Sequence, residues 1–198
     1  ANNSTTITDL SPNPVACTAN GSAKLSTAQA RFGPSSLLLD GTSGCYVSTA
    51  TSSAFNLSGD FAIEFSVYIN TTSAANYTLL HVNAGSAQGV HLYYNGTTLR
   101  VDNGLVSDYI SPSGVLPAST WVDIALLKFS GGIHLFAGST LLIVRTAQNY
   151  GTPDSAQVGR YSSGGVTNNA ACYVDNLRIT KGQSRIAYPA RGFSFPTR

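Results

Sequence analysis

The sequence predicts an all-β domain built as a sandwich or barrel of antiparallel strands. Three observations predict it. Apolar residues fall in short runs separated by Gly, Asn, Ser and Pro. Asn20-Gly21, Asn95-Gly96 and Gly138-Ser139 stand between such runs as hairpin turns. No stretch of ten residues carries a helical period.

The elements follow in order. Residues 15–19 and 22–26 flank Asn20-Gly21 and read as a hairpin. Residues 35–40 and 45–48 are two more strands, split by Gly41-Thr42-Ser43-Gly44. Phe61, Ile63, Phe65, Val67 and Ile69 alternate with Ala62, Glu64, Ser66, Tyr68 and Asn70, the period of two that marks a half-buried strand. Residues 78–82 are a short strand, and residues 89–94 and 97–102 form a hairpin around Asn95-Gly96. Residues 121–129 are apolar on both faces apart from Asp123 and Lys128, which suits a central strand. Residues 133–137 and 140–146 form a third hairpin, and residues 156–160 and 171–180 complete about twelve strands. Residues 26–31 and 184–188 have room for one turn of helix each. The expected core is Phe61, Ile63, Phe65, Val67, Trp121, Ile124, Leu126, Leu135, Leu177 and Ile179.

At 198 residues the chain is long enough for one domain with a full core. We read residues 1–198 as that single domain, with 1–6 and 189–198 as tails. Charged residues make up only 10 %, against about 25 % in an average soluble domain. Twenty-five Ser, 20 Thr and 14 Asn supply the polarity instead, which suits an extracellular or virion surface. A net charge of +2 makes no case for nucleic acid or an anionic membrane as partner. No apolar run approaches the ~18 residues of a membrane span.

Several catalytic patterns are missing. Glu64 is the single glutamate, so a Glu–Glu glycosidase pair cannot form within the chain; Asp pairs remain open. Three cysteines at long spacings are neither a zinc pattern nor a disulfide framework. Cys45 and Cys172 each stand at a strand start, and three free, mostly buried thiols are expected. His81, His91 and His134 lie far apart, and no Gly-x-Ser-x-Gly elbow occurs. The expectation is a protein that is not an enzyme. Near the turns, Tyr94-Asn95 and Asp108-Tyr109 pair an aromatic ring with an amide or carboxylate, the combination that sugar stacking and hydrogen bonding require. Ordinary core or interface tyrosines are the other reading.

The order of motifs resembles a known family. Residues 7–12 (ITDLSP), residues 26–41 (STAQARFGPSSLLLDG) and residues 60–68 (DFAIEFSVY) are similar to the laminin-G/concanavalin-A-like jelly-roll domains. Residues 121–125 (WVDIA), the Gly131-Gly132 turn and residues 173–182 (YVDNLRITKG) fit the same order, and the opening and closing motifs resemble the bacteriophage branch. The resemblance implies a concanavalin-A-like jelly-roll sandwich of two antiparallel sheets. It also implies a non-enzymatic virion protein, a capsid decoration or a tail or fibre component. Such a protein would act through contacts with other virion proteins, as a homo-oligomer on the particle surface. The alternative is a lectin or adhesin that binds host-surface glycan; a glycosidase is third and a secreted laminin-G module fourth. In relatives a structural calcium is clamped between the first and last strands, and Asp40 and Asp175 stand in the corresponding motifs. The other reading is that Asp40 caps the Gly41 turn and Asp175 bonds a neighbouring strand. Phe193 and Phe195 in the Pro-stiffened tail should pack on the sandwich or on a neighbouring subunit.

Overall fold

The computed structural model describes residues 2–72, 75–83, 89–103, 109–161 and 169–182. Fourteen strands form among these residues, the longer ones rich in branched and aromatic side chains. They are β1 (Cys17–Asn20), β2 (Lys24–Ser26), β3 (Ser36–Asp40), β4 (Tyr46–Thr49), β5 (Phe61–Ile69), β6 (Asn76–Asn83) and β7 (Gly89–Asn95). Then come β8 (Thr98–Asp102), β9 (Tyr109–Ile110), β10 (Trp121–Phe129), β11 (Gly132–Ala137), β12 (Thr140–Thr146), β13 (Ser155–Val158) and β14 (Ala171–Lys181). A 3-10 turn over Ser53–Phe55 is the one helical element among the described residues.

The strands form two seven-stranded antiparallel sheets. The first runs β1-β4-β13-β6-β7-β8-β9, the second β12-β11-β10-β5-β14-β3-β2. This is the expected two-sheet sandwich, with β3 beside β14 through the pair Asp40 and Ala171. The turns at Asn95-Gly96 and Gly138-Ser139 close the hairpins expected of them, with Asn95 opposite Thr98 and Ala137 opposite Thr140.

The first Asn-Gly turn corrects the reading. β1 and β2 do not pair: β1 lies against β4 in the first sheet, and β2 against β3 in the second. Asn20-Gly21 and the 41–44 turn are therefore two neighbouring crossings between the sheets. They touch closely. Gly21 has φ +59°, and a Cβ there would sit 2.6 Å from the Gly44 carbonyl oxygen. Backbone conformation and contact both demand glycine.

The core lies between the sheets. Phe61, Ile63, Phe65, Val67, Ile124, Leu126 and Leu135 are buried as expected, against Leu80, Val82, Leu92 and Tyr94 of the first sheet. Trp121 and Ile179 are only half-buried. Leu177 is 38 % exposed and is not a core residue. The cause is a bulge in β14. Asp175 opposes Ser66 and Arg178 opposes Glu64, so Asn176 and Leu177 share one position opposite Phe65. Asn176 takes a left-handed φ of 51° there, and Leu177 is turned away from the core.

Cys17, Cys45 and Cys172 are free, the last two buried. Burial, then the nearby Cys45, pushes the Cys172 thiol up to about 12. The possible helical turn at 184–188 and the tail at 189–198, with Phe193 and Phe195, lie outside the described residues. No helix among the described residues is long and apolar enough to cross a membrane.

Two outcomes follow from this packing. Phe65→Ala should cost about 3–5 kcal/mol, and Leu177→Ser less than about 1 kcal/mol, in urea unfolding. Equal losses would place Leu177 in the core after all. A thiol reagent should count three cysteines in denaturant without reductant, and leave Cys172 unlabelled in the folded protein near pH 8. A denatured count of one would reveal a bridge.

Candidate functional site

The outer face of the first sheet gathers most of the polar chemistry. Along β7, Val90, Leu92 and Tyr94 point into the core, so His91 and Tyr93 face outward. The pairing register carries a polar row across five strands: Ser48, Gln157, His81, His91 and Asp102. A bulge in β6 adds Thr78 to this face. Thr78 opposes Tyr93 and Leu80 opposes Leu92, so Leu79 is the extra residue. The extra residue shifts strand parity, and Thr78 and His81, three positions apart, lie on one side.

These groups interlock. His91 Nδ1 lies 3.2 Å from Asp102 Oδ2, and His91 Nε2 lies 3.0 Å from Thr78 Oγ1. With the neutral ring, Nδ1–H donates to the carboxylate and Nε2 accepts from the hydroxyl. The His91 ring stacks on Tyr93 at 4.4 Å and 13°. Tyr161 stacks on His91 at 4.4 Å and 28°, and lies tilted on His81 at 4.5 Å. Burial, and then the neighbouring His91, lowers the His81 pKa to about 4, while the Asp102 charge opposes the shift.

His81, His91 and Tyr93 are buried, so the accessible part is the half-buried rim. Gly159, at φ +89°, turns the chain out of β13. The next two residues reach in opposite directions over the outer face. Arg160 lies over the Tyr46 ring of β4, 4.6 Å from its centroid, and Tyr161 covers β6 and β7. Between them, His81 Nδ1, Gln157 Oε1 and Arg160 Nε have no hydrogen-bond partner among the described residues. The accessible rim sets the half-buried aromatic ring of Tyr161 beside the half-buried side chains of Gln157 and Arg160, which is what a flat polar ligand such as a sugar ring uses.

Other constellations offer less. Thr78, His91 and Asp102 are ordered like a hydrolytic triad, but Thr78 is 2 % exposed and its hydroxyl cannot meet a substrate. Glu64 is buried in the second sheet with Arg178 at 3.9 Å. Trp121, Tyr68 and Tyr173 pack on one another at 56° and 82°, presenting edges rather than a common plane. No cluster of three His, Cys, Asp or Glu side chains among the described residues could hold a metal.

The expected site residues fall elsewhere. Asp40 and Asp175 do not converge on one ion. Asp40 opposes Ala171, four residues before Asp175 on the same strand, a separation of about 13 Å along the backbone. Asp40 caps its turn by accepting from Thr42 N at 3.0 Å and Thr42 Oγ1 at 2.7 Å. Its partial burial would raise its pKa, but hydrogen bonds from Ser22, Thr42 and Cys45 outweigh that and hold it well below the usual range. Asp175 accepts from Arg31 N at 2.9 Å and Phe32 N at 2.8 Å, anchoring that loop.

Tyr94 is a core residue, 1 % exposed and stacked on Tyr77 at 5.2 Å. Asn95 donates to Asn76 Oδ1 at 2.8 Å in the turn. Tyr109 donates to Thr146 O at 2.6 Å, tying the edges of the two sheets. Asp108 lies outside the described residues. None of these joins the Tyr161 cluster. The missed signal was the alternation of β7, which turns Tyr93 outward once Leu92 and Tyr94 turn in.

No protein-family model matches the sequence, and no curated protein matches it. Solved structures do match in fold. The binding domain of Paraclostridial Mosquitocidal Protein 1 superposes with a TM-score of 0.72 at 14 % identity, over 90 % of this chain and 47 % of that one. The botulinum neurotoxin serotype D binding domain gives 0.70 at 12 % identity, over 92 % and 46 %. A structure from work on botulinum neurotoxin type C, whose cell entry depends on interaction with two ganglioside molecules, gives 0.69 at 13 %, over 90 % and 46 %. The chain spans about half the length of these neighbours. At such identities the likeness shows the sandwich fold alone.

The buried histidine predicts a pH response. An unfolded histidine titrates near 6.5, and His81 in the fold near 4. Between those values the unfolded chain binds a proton that the folded chain refuses. Stability should therefore be full above about pH 6.5 and fall towards pH 4. The Asp40 contribution is lost only below the ordinary carboxylate range. Urea midpoints measured from pH 7 to 4 should decline, and His81→Phe should flatten that decline. An unchanged slope in the variant would show that His81 titrates normally.

Proposed function

We propose that this chain is a non-enzymatic carbohydrate-binding module that stacks a sugar ring on Tyr161 at the outer face of the first sheet. The observation that carries this reading is the Tyr161 ring held on two buried imidazoles. Asp102 and Thr78 lock the ring of His91 from both sides, so the tyrosine rests on a base that does not reorient. A ring fixed before binding loses little freedom on binding. The half-buried side chains of Gln157 and Arg160 stand beside it.

The fold neighbours support the reading as binding domains of toxins, one of them from a neurotoxin whose cell entry depends on gangliosides. Nothing in those neighbours speaks for the capsid, tail or fibre role. That role, with its particle location and symmetric copies, is a proposal supported by the motif resemblance alone. A glycan-binding face is compatible with it, since a particle-surface module of this kind would attach to host sugar.

A glycan array probed with the whole chain should give defined hits. Tyr161→Ala should weaken them about 30-fold, the loss of about 2 kcal/mol expected when a central aromatic anchor is truncated. Tyr161→Phe keeps the ring and should keep binding. Hits that survive Tyr161→Ala, or an array without hits, would refute the proposal.

A further inference from the structure

We propose that the ligand of this face is an acidic saccharide whose carboxylate or sulfate is received by Arg160. The inference rests on the glycan reading above and names its substrate class.

Arg160 is the observation that carries it. Its guanidinium lies 4.6 Å from the centroid of Tyr46, a stacking contact that fixes the plane of the group and leaves its edge for hydrogen bonds. It forms no ion pair with a described residue, and its buried Nε has no hydrogen-bond acceptor among them. Four other cations among the described residues have fixed partners. Arg31 is paired bidentately with Asp123 at 2.8 and 3.2 Å, Arg178 faces Glu64, and Lys128 and Lys181 donate to the carbonyls of Ser58 and Ser53. In a chain with only nine carboxylates, a stacked guanidinium held without one stands out.

The surrounding charges point the same way. Asp102, the acid in the polar row, already accepts from His91 and is three strands away from β13. Arg100 stands on the same face, opposite Tyr93. Gln157 and His81 add neutral groups between Arg160 and Tyr161. A ligand lying on Tyr161 would extend across β13, meeting Gln157 first and then the guanidinium edge. Carboxylate and sulfate both accept two parallel hydrogen bonds from such an edge, whereas a neutral hydroxyl gains little from its charge.

The experiment uses the full chain and an array of neutral, uronic-acid, sialylated and sulfated oligosaccharides, followed by titration. Lactose is the neutral probe, unsulfated chondroitin tetrasaccharide the carboxylate probe and 3′-sulfolactose the sulfate probe. Acidic members should dominate the hits, and the two acidic probes separate carboxylate from sulfate recognition. Arg160→Gln should weaken the acidic hits at least tenfold and neutral binding by much less, with partial recovery in Arg160→Lys. Added salt should weaken the parent's acidic binding, a reading that needs no variant. Neutral hits as tight as acidic ones, or acidic binding indifferent to Arg160→Gln, would overturn this inference and leave the glycan reading standing. No binding to any glycan would overturn both.

Discussion

Strand β5 has no solvent side, and the rest of the molecule depends on that. Its odd-numbered residues from Phe61 to Ile69 fill the space between the sheets. Of its even-numbered residues Ala62, Glu64 and Ser66 are also withdrawn from water, at 4 % exposure or less, and Tyr68 is half-buried. A buried Ser66 needs a partner, and its hydroxyl donates to Asp123 at 2.6 Å. Asp123 in turn takes the Arg31 fork, and Asp175 takes the backbone N–H groups of Arg31 and Phe32. One central strand thus dictates both the apolar core and the polar fastening of a loop across the back of the second sheet. The outward acids there are committed to structure, and this leaves the outer face of the first sheet to carry recognition.

Bulges decide what each face displays. A strict period of two would place Thr78 and His81 on opposite sides of β6. The extra residue at Leu79 puts both outside, so the hydroxyl of Thr78 reaches His91. The bulge at Asn176 and Leu177 does the converse in β14, exposing a leucine while Ile179 regains its place opposite Ile63. In both strands one inserted residue reassigns every side chain beyond it.

Much of the architecture was legible in the sequence. The alternation in β5 and the two-faced apolar run in β10 carried the strands, and two hairpins followed from their turns. Asn20-Gly21 shows where that stops. Its turn chemistry matches Asn95-Gly96, yet it joins different sheets, because partner choice for β1 and β2 rests on β4 and β3 further along the chain. The site was less legible for the same reason. His81 and His91 are ten residues apart and become neighbours only through the β6–β7 register. Asp175 finds Arg31 across 144 residues. Proximity to a turn suggested Tyr94 as a surface ring, whereas the alternation of Val90 and Leu92 already placed it inside.

The partnership of β5 with β14 also sets an order of events during synthesis. Phe61 pairs with Lys181, so the centre of the second sheet stays unpaired on that side until residue 181 has been translated. At about 5–20 residues per second, the ribosome needs roughly 6–24 s to cover the intervening stretch. For that time an apolar strand has a bare hydrogen-bonding edge in a nascent chain, the condition in which strands recruit the wrong neighbour. β10, joined to β5 on the other side through Leu126 and Ile63, emerges much earlier and shields half of it. The last of the described strands to appear is then also the one that completes the pairing of β5, and folding of the domain becomes a late event rather than a gradual accretion from the first hairpin.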